Sequence, residues 1–308
     1  MRYKFTESEK RFSFVGKARY FFILSIVITV LGVLTLAFAG LHYGVDFKAG
    51  SSVDFSVKKD LSGQKNAIQQ FLTDEGYGSP ALTVGTNRVT MRFPDTLQQD
   101  KEEKLKADFA SKFDKSASAE VNTVDPEMAR ELQLNALKAV AIASIGIILY
   151  VSIRFEWRFA VAGIVALLHD AFIVISLFSI FRLEVNLPFI VAVLTIIGYS
   201  INDTIVIFDR IRENLRFAKI KTGADLANLV NASIWQTLTR SINTVMTVLI
   251  AALCLFIFGG ESIKLFSLAM LFGLISGAYS SIFIASQLWL VLKNRQKPKM
   301  AAKTPAAS

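Results

Sequence analysis

Apolar runs dominate the pattern of this chain. Residues 20–41, 241–260 and 265–292 are free of charge, and each is long enough to cross a bilayer core, which takes about 20 helical residues. Residues 139–153 form a shorter run that the helical pattern ahead of them can complete. Residues 159–181 and 187–208 qualify as spans only with buried charge, His169 and Asp170 in one and Asp203 in the other. The pattern predicts six transmembrane helices, the first over 20–39 and five more within 134–292.

Between the first and second spans the periodicity changes. Residues 51–57 alternate like a strand, 64–75 read as a short amphipathic helix ending at Gly76, and 81–84 and 88–93 are short strands around a turn at 85–87. A longer helix follows over 97–113, with Leu97, Leu105, Phe109 and Phe113 as its apolar members, then a last strand over 119–124. The order β-α-β-β-α-β is that of a small ferredoxin-like α+β domain, expected over residues 40–133. Pro126 suits the first turn of the helix feeding the second span. The expected fold class is therefore a polytopic α-helical membrane protein with one such domain, extracytoplasmic, between its first two spans.

The informative polar groups lie inside the spans. An ionisable side chain in hydrocarbon is costly and persists where it is paired, wetted or used. At the helical rise of 1.5 Å per residue, Asp170 lies about 16 Å along the third span, near the midplane, and Asp203 about 24 Å along the fourth. Arg240, near the start of the fifth span, shares the depth of Asp203. A carboxylate whose cationic partner can move away changes its proton affinity, which is the requirement for a proton relay. Asp203 and Arg240 are the candidate relay. A static pair joining helices, or a carboxylate marking a helix end, satisfies the same spacing. Asn202, Thr204, His169 and Asp170 are the supporting intramembrane polar residues. His169 and Asp170 point about 100° apart on a helix, so different neighbours are expected for them, a backbone or hydroxyl group for a neutral His169.

Composition and charge agree with a membrane protein. Mean hydropathy is +0.45 over 308 residues. The net charge of +9 is concentrated in the residue 1–19 tail, at Arg154 and Arg158, over 210–221 and beyond Lys293. Those are alternate connections of a six-span protein, so the positive-inside rule predicts both termini in the cytoplasm. It also accounts for the charge without nucleic acid. The expected cytoplasmic connection between the fourth and fifth spans is a loop over 210–236, and the 293–308 tail is expected to be disordered. Ala37-Phe38-Ala39 resembles a signal-peptidase site, but the run before it exceeds the usual length of a signal-peptide apolar core, and an uncleaved anchor is expected. With two histidines and one cysteine, no nucleophile-base arrangement, metal site or cofactor motif is read, so an enzyme is not expected.

Residues 199–214, Y-S-I-N-D-T-I-V-I-F-D-R-I-R-E-N, resemble the fourth-span signature of the SecF family, auxiliary subunits of the Sec protein translocase in the RND superfamily. Residues 167–173 (L-L-H-D-A-F-I) resemble the family's third span and 236–243 (Q-T-L-T-R-S-I-N) the start of its fifth. Residues 256–261 (F-I-F-G-G-E) with 276–285 resemble the loop before its sixth span and that span. Residues 44–50 (G-V-D-F-K-A-G) resemble its Asp-Phe-x-Gly-Gly element. The likeness runs over 16–292. It implies pairing with SecD into a twelve-span unit, association with the SecYEG channel and YajC, and use of the proton-motive force to pull or release preproteins across the cytoplasmic membrane. It further implies proton transport by Asp203 and Arg240, and a hinge after the first span at Asp46, Phe47 and Gly50. Two departures stand out: Ala49 takes the place of the first of the paired glycines, and Asp125-Pro126 that of a Gly-Pro. A small-molecule or lipid transporter half of the same superfamily, and an assembly subunit without proton coupling, are the rival readings.

Overall fold

The computed structural model describes residues 12–295. The first 11 residues of the expected N-terminal tail, and the expected disordered tail beyond 295, lie outside the described residues. Two compact units are distinguished: residues 43–139 with 185–187, and the remainder.

The first elements are α1 (Phe14–Ala39), β1 (His42–Tyr43) and α2 (Val45–Lys48). Then come β2 (Gly50–Ser56), α3 (Lys65–Asp74), β3 (Ala81–Val84), β4 (Arg88–Phe93), α4 (Gln99–Lys112) and β5 (Ser118–Val124). The four strands among these last six elements form a sheet in the order β3-β4-β2-β5. Every neighbouring pair is antiparallel, with Val53 opposite both Met91 and Val121. Strand alternation sends Val53, Phe55, Val89, Met91 and Phe93 to one face, where they meet Ile68, Phe71 and Leu72 of α3 and Leu105 and Phe109 of α4. The α3 trio has i, i+3, i+4 spacing, the mark of a helix with one apolar stripe. Phe55 stacks on Phe109 with ring centroids 3.9 Å apart. Each such side chain, fully buried, contributes about 1.5–3 kcal/mol before the entropy of ordering is set against it. Leu97 and Phe113, expected inside the second helix, flank α4 and pack partly buried on the same core.

Entry to β2 is conformationally demanding. Ala49 has φ +66° and Gly50 φ +112°, both in the region that favours glycine. A Cβ at Gly50 would run into the backbone at Phe93 and Pro94.

The other elements are α5 (Pro126–Arg154), α6 (Trp157–Ile180), β6 (Glu184–Val185), α7 (Leu187–Phe217), α8 (Gly223–Phe258), α9 (Glu261–Ser280), a π-helical stretch (Ser281–Ala285) and α10 (Ser286–Asn294). The short strands β1 and β6 pair with each other. Among the described residues, six helices are long and apolar enough to cross a membrane: α1, α5, α6, α7, α8, and Ile263–Asn294 as one broken helix. The expected loop over 210–236 is corrected to residues 218–222. The fourth helix continues through the charged Asp209–Arg216 stretch, and α8 starts early because Thr222 and Asp225 form a reciprocal capping box. Helices α6, α7 and the sixth span are the most buried, whereas α1, α5 and α8 expose apolar side chains such as Ile26, Ile142 and Ile250. Close approach of α7 and α9 depends on small residues. A Cβ at Gly273 would overlap the Ile196 side chain, and one at Gly277 would touch Ser200.

Candidate functional site

Asp203 and Arg240 line one cavity of about 100 Å³ between α7, α8 and α9, together with Ser200, Asn202, Thr244, Gly273 and Gly277. Gly273 and Gly277 line it on the face of α9 that approaches α7 closely. No ion pair joins Asp203 to Arg240 among the described residues. Instead Asp203, 9% exposed, accepts a 2.7 Å hydrogen bond from the Ser281 hydroxyl. A second, wider cavity of about 480 Å³ shares Asn202, Val206 and Arg240 with the first and reaches Asp209, Arg210, Glu213 and Gln236. Arg240 thus stands between the buried carboxylate and the charged end of α7.

Asp170 is fully buried on α6. Its Oδ2 accepts from the hydroxyls of Ser200 at 2.5 Å and Ser280 at 2.6 Å, and its Oδ1 from that of Ser276 at 2.7 Å. Nδ1 of His169 lies 3.1 Å from Oδ1. Nε2 of His169 lies 3.1 Å from the Ser25 hydroxyl of α1, which is 2.8 Å from the Tyr279 hydroxyl. His169 and Asp170 therefore reach different helices, as their angular separation predicts, but also contact each other. The hydroxyl expected beside His169 is that of Ser25. A buried carboxylate is tolerated when its acceptor positions are filled, and here three serines and one imidazole fill them.

Of the remaining expected residues, Asn202 lines both cavities, and Thr204 is buried near Gly163. In the smaller unit, Asp46 accepts from Asn122 at 2.9 Å and from the Leu187 backbone at 2.8 Å. Phe47 is buried, and its carbonyl accepts from the Gln133 amide. Residues not singled out from the sequence are Ser25, Ser276, Ser280, Ser281 and Tyr279. The signal was available for two of them: Ser276 and Ser280 are four apart in an apolar span, hence on one face.

The description "Protein export membrane protein SecD/SecF, C-terminal" matches residues 104–295. The protein translocase subunit SecF of Alicyclobacillus acidocaldarius is 46% identical over 303 residues, covering 96% of this chain and 98% of that one. The chain belongs to the SecD/SecF family. The protein translocase subunit SecDF of Bacillus subtilis is 45% identical, over 95% of this chain and 40% of its own length. A crystal structure of SecDF from Thermus thermophilus, a translocon-associated membrane protein, superposes with a TM-score of 0.82 at 36% identity, covering 93% of this chain and 39% of that one. With its six apolar helices, this member of the SecD/SecF family is a multi-pass membrane protein of the protein-translocation class.

Proposed function

We propose that this chain is the SecF-type subunit of a Sec protein-export machinery. Working with a SecD-type partner, it uses the proton-motive force to assist late translocation and release of preproteins. The observation that carries the reading is the shared cavity of Asp203 and Arg240: a buried carboxylate and a cation on separate helices, close but not ion-paired. Such a carboxylate can exchange a proton with cavity water while the arginine moves between it and the outer carboxylates Asp209 and Glu213. A cavity of this size with several polar walls suits water.

The fused SecDF relatives, of which this chain spans about two fifths, support SecD as the missing half. The exposed apolar faces of α1, α5 and α8 leave room for it and for lipid. In this reading both termini are cytoplasmic, residues 40–133 form a ferredoxin-like domain outside the membrane, and 134–292 hold five spans. The SecYEG channel, YajC and the preprotein are the further partners. Asp46, Phe47 and Gly50 form the hinge after the first span.

One observation favours a second reading, an assembly subunit without coupling of its own. The Ser281–Asp203 bond joins α7 to the sixth span whether or not Asp203 exchanges protons. Pulse-labelled cells lacking the native subunit and carrying Asp203→Asn or Arg240→Met separate the two. Slow release of a secreted reporter with the subunit inserted and partner-bound supports coupling; normal release supports assembly alone.

A further inference from the structure

The hydrogen bonds around His169 fix where its protons are. Tyr279 donates to the Phe21 carbonyl at 2.5 Å, so it accepts from Ser25. Ser25 has one hydroxyl proton and spends it there, so it accepts from His169, and Nε2 is a donor. Nδ1 faces Oδ1 of Asp170, and a proton must lie between them, since two bare acceptors 3.1 Å apart would repel. The dyad therefore holds one proton on either an imidazolium facing a carboxylate or an imidazole facing a carboxylic acid.

We propose that His169–Asp170 is a second proton-loading site of the membrane unit, connected by the Ser200 hydroxyl to the cavity of Asp203 and Arg240. Ser200 bonds Asp170 and lines that cavity. The other side of the dyad is mostly apolar: His169, Ser25, Ser276 and Tyr279 border a cavity of about 270 Å³ otherwise walled by Leu24, Ile28, Phe272 and similar side chains. Ser200 is thus the wet exit. On unloading, the proton between Nδ1 and Oδ1 stays with the carboxyl group, which turns and donates it to the Ser200 oxygen. Ser200 passes its own hydroxyl proton to a cavity water. A neutral imidazole with Nε2–H and a carboxylate remain, and the three serine hydroxyls hold that carboxylate in place of water. The charged and titratable groups facing this path are Tyr199 and Asp203 on α7, Arg240 on α8 and Tyr279 on α9.

The role of this site in export rests on the reading above; its proton exchange does not. The test is nitrogen-15 histidine NMR of the full chain in lipid bilayers, with His42→Gln leaving His169 as the single reporter. The expected result is an Nε2 that stays protonated and an Nδ1 signal that changes as the shared proton leaves when pH is stepped upward across the range in which the protein stays folded. Ser200→Ala should slow exchange of that proton with water while the chain remains folded. A bare Nε2, an Nδ1 signal indifferent to pH, or exchange indifferent to Ser200→Ala would each overturn the proposal. In the release assay, a fully active His169→Gln beside an inactive Asp203→Asn would remove this site from the mechanism and leave the export reading standing.

Discussion

Ser281 donates a 2.7 Å hydrogen bond to Asp203 from the first residue of the π-helical stretch in the sixth span. A π turn shifts the register of the helix beyond it and often marks a functional position. Here the Ser281 carbonyl accepts from the Ser286 hydroxyl at 2.8 Å as well as from the Ser286 N–H, and the Ser281 hydroxyl, which also lies 3.2 Å from the Ala278 carbonyl, reaches α7.

Ser281→Ala should therefore weaken the bundle without abolishing it. Losing a hydrogen bond to a buried carboxylate costs about 1.5–3 kcal/mol. Thermal unfolding of the purified variant should show the loss, and reporter release should fall part of the way towards that of Asp203→Asn. Unchanged unfolding would mean that water replaces the serine at no cost.

Gly273→Ala should be strongly destabilising for its size. The added methyl meets Ile196 along most of its side chain, and overpacking of this kind costs about 1–3 kcal/mol. Ile196→Ala in the same chain should restore part of the loss, because the two positions share one contact. Additive losses in denaturant unfolding of the double variant would contradict this.

Ala49→Gly should stabilise the protein by about 1 kcal/mol or more. Ala49 holds a positive φ at the position where the family resemblance places a glycine, and non-glycine residues there carry strain on the order of 1–3 kcal/mol. Denaturant unfolding reads the change directly. A loss of stability would mean that the Ala49 methyl makes a contact worth more than the strain.

The smaller unit should respond to pH at both extremes. Asp114 accepts from the backbone and hydroxyl of Ser116 and from the Lys58 and Lys59 N–H groups. These bonds, those from Ser116 foremost, hold its carboxyl below the usual value of 3.8. Its folded value is depressed, so the stabilisation is present above that ordinary value and fades as pH falls below it. Tyr77 is pushed up to about 12 by burial first and then by the charge of Asp108, which its hydroxyl bonds. Its folded value is raised above 10, so its contribution is intact below pH 10 and is lost as pH rises through about 12. Asp114→Asn should flatten the acid limb and Tyr77→Phe the alkaline limb of the unfolding profile. Limbs that stay steep in both variants would contradict these assignments.

The long apolar helices and the strands and helices of the smaller unit are legible in the sequence because both rest on periodicity. A 20-residue apolar run has few alternatives to a membrane helix, and β3 and β4 fall on residues 81–84 and 88–93 as their alternation around Gly85 predicts. The 210–236 connection was misread because charge suggested a loop, whereas Asp209, Arg210, Arg212 and Glu213 pair at helical spacing and extend α7. Helical rise places Asp203 and Arg240 at a shared depth, and the two line one cavity, but depth carries no information on what Asp203 bonds. Serines are ordinary in apolar spans, and beyond the four-residue spacing of Ser276 and Ser280 nothing local distinguishes the three that reach Asp170 from Ser267, which bonds its own backbone at Ile263. The π stretch is equally invisible, since its cause is packing between helices distant in sequence.

In the proposed function, Asp203 couples the proton-motive force to release. The most direct measurement is the release rate of a pulse-labelled secreted protein, for wild type and Asp203→Asn, with the proton gradient intact and then collapsed by an uncoupler. Collapse should slow wild type to the rate of Asp203→Asn and leave the variant unaffected, with both chains equally abundant and partner-bound. A variant that releases at the wild-type rate and slows as wild type does on collapse would contradict it.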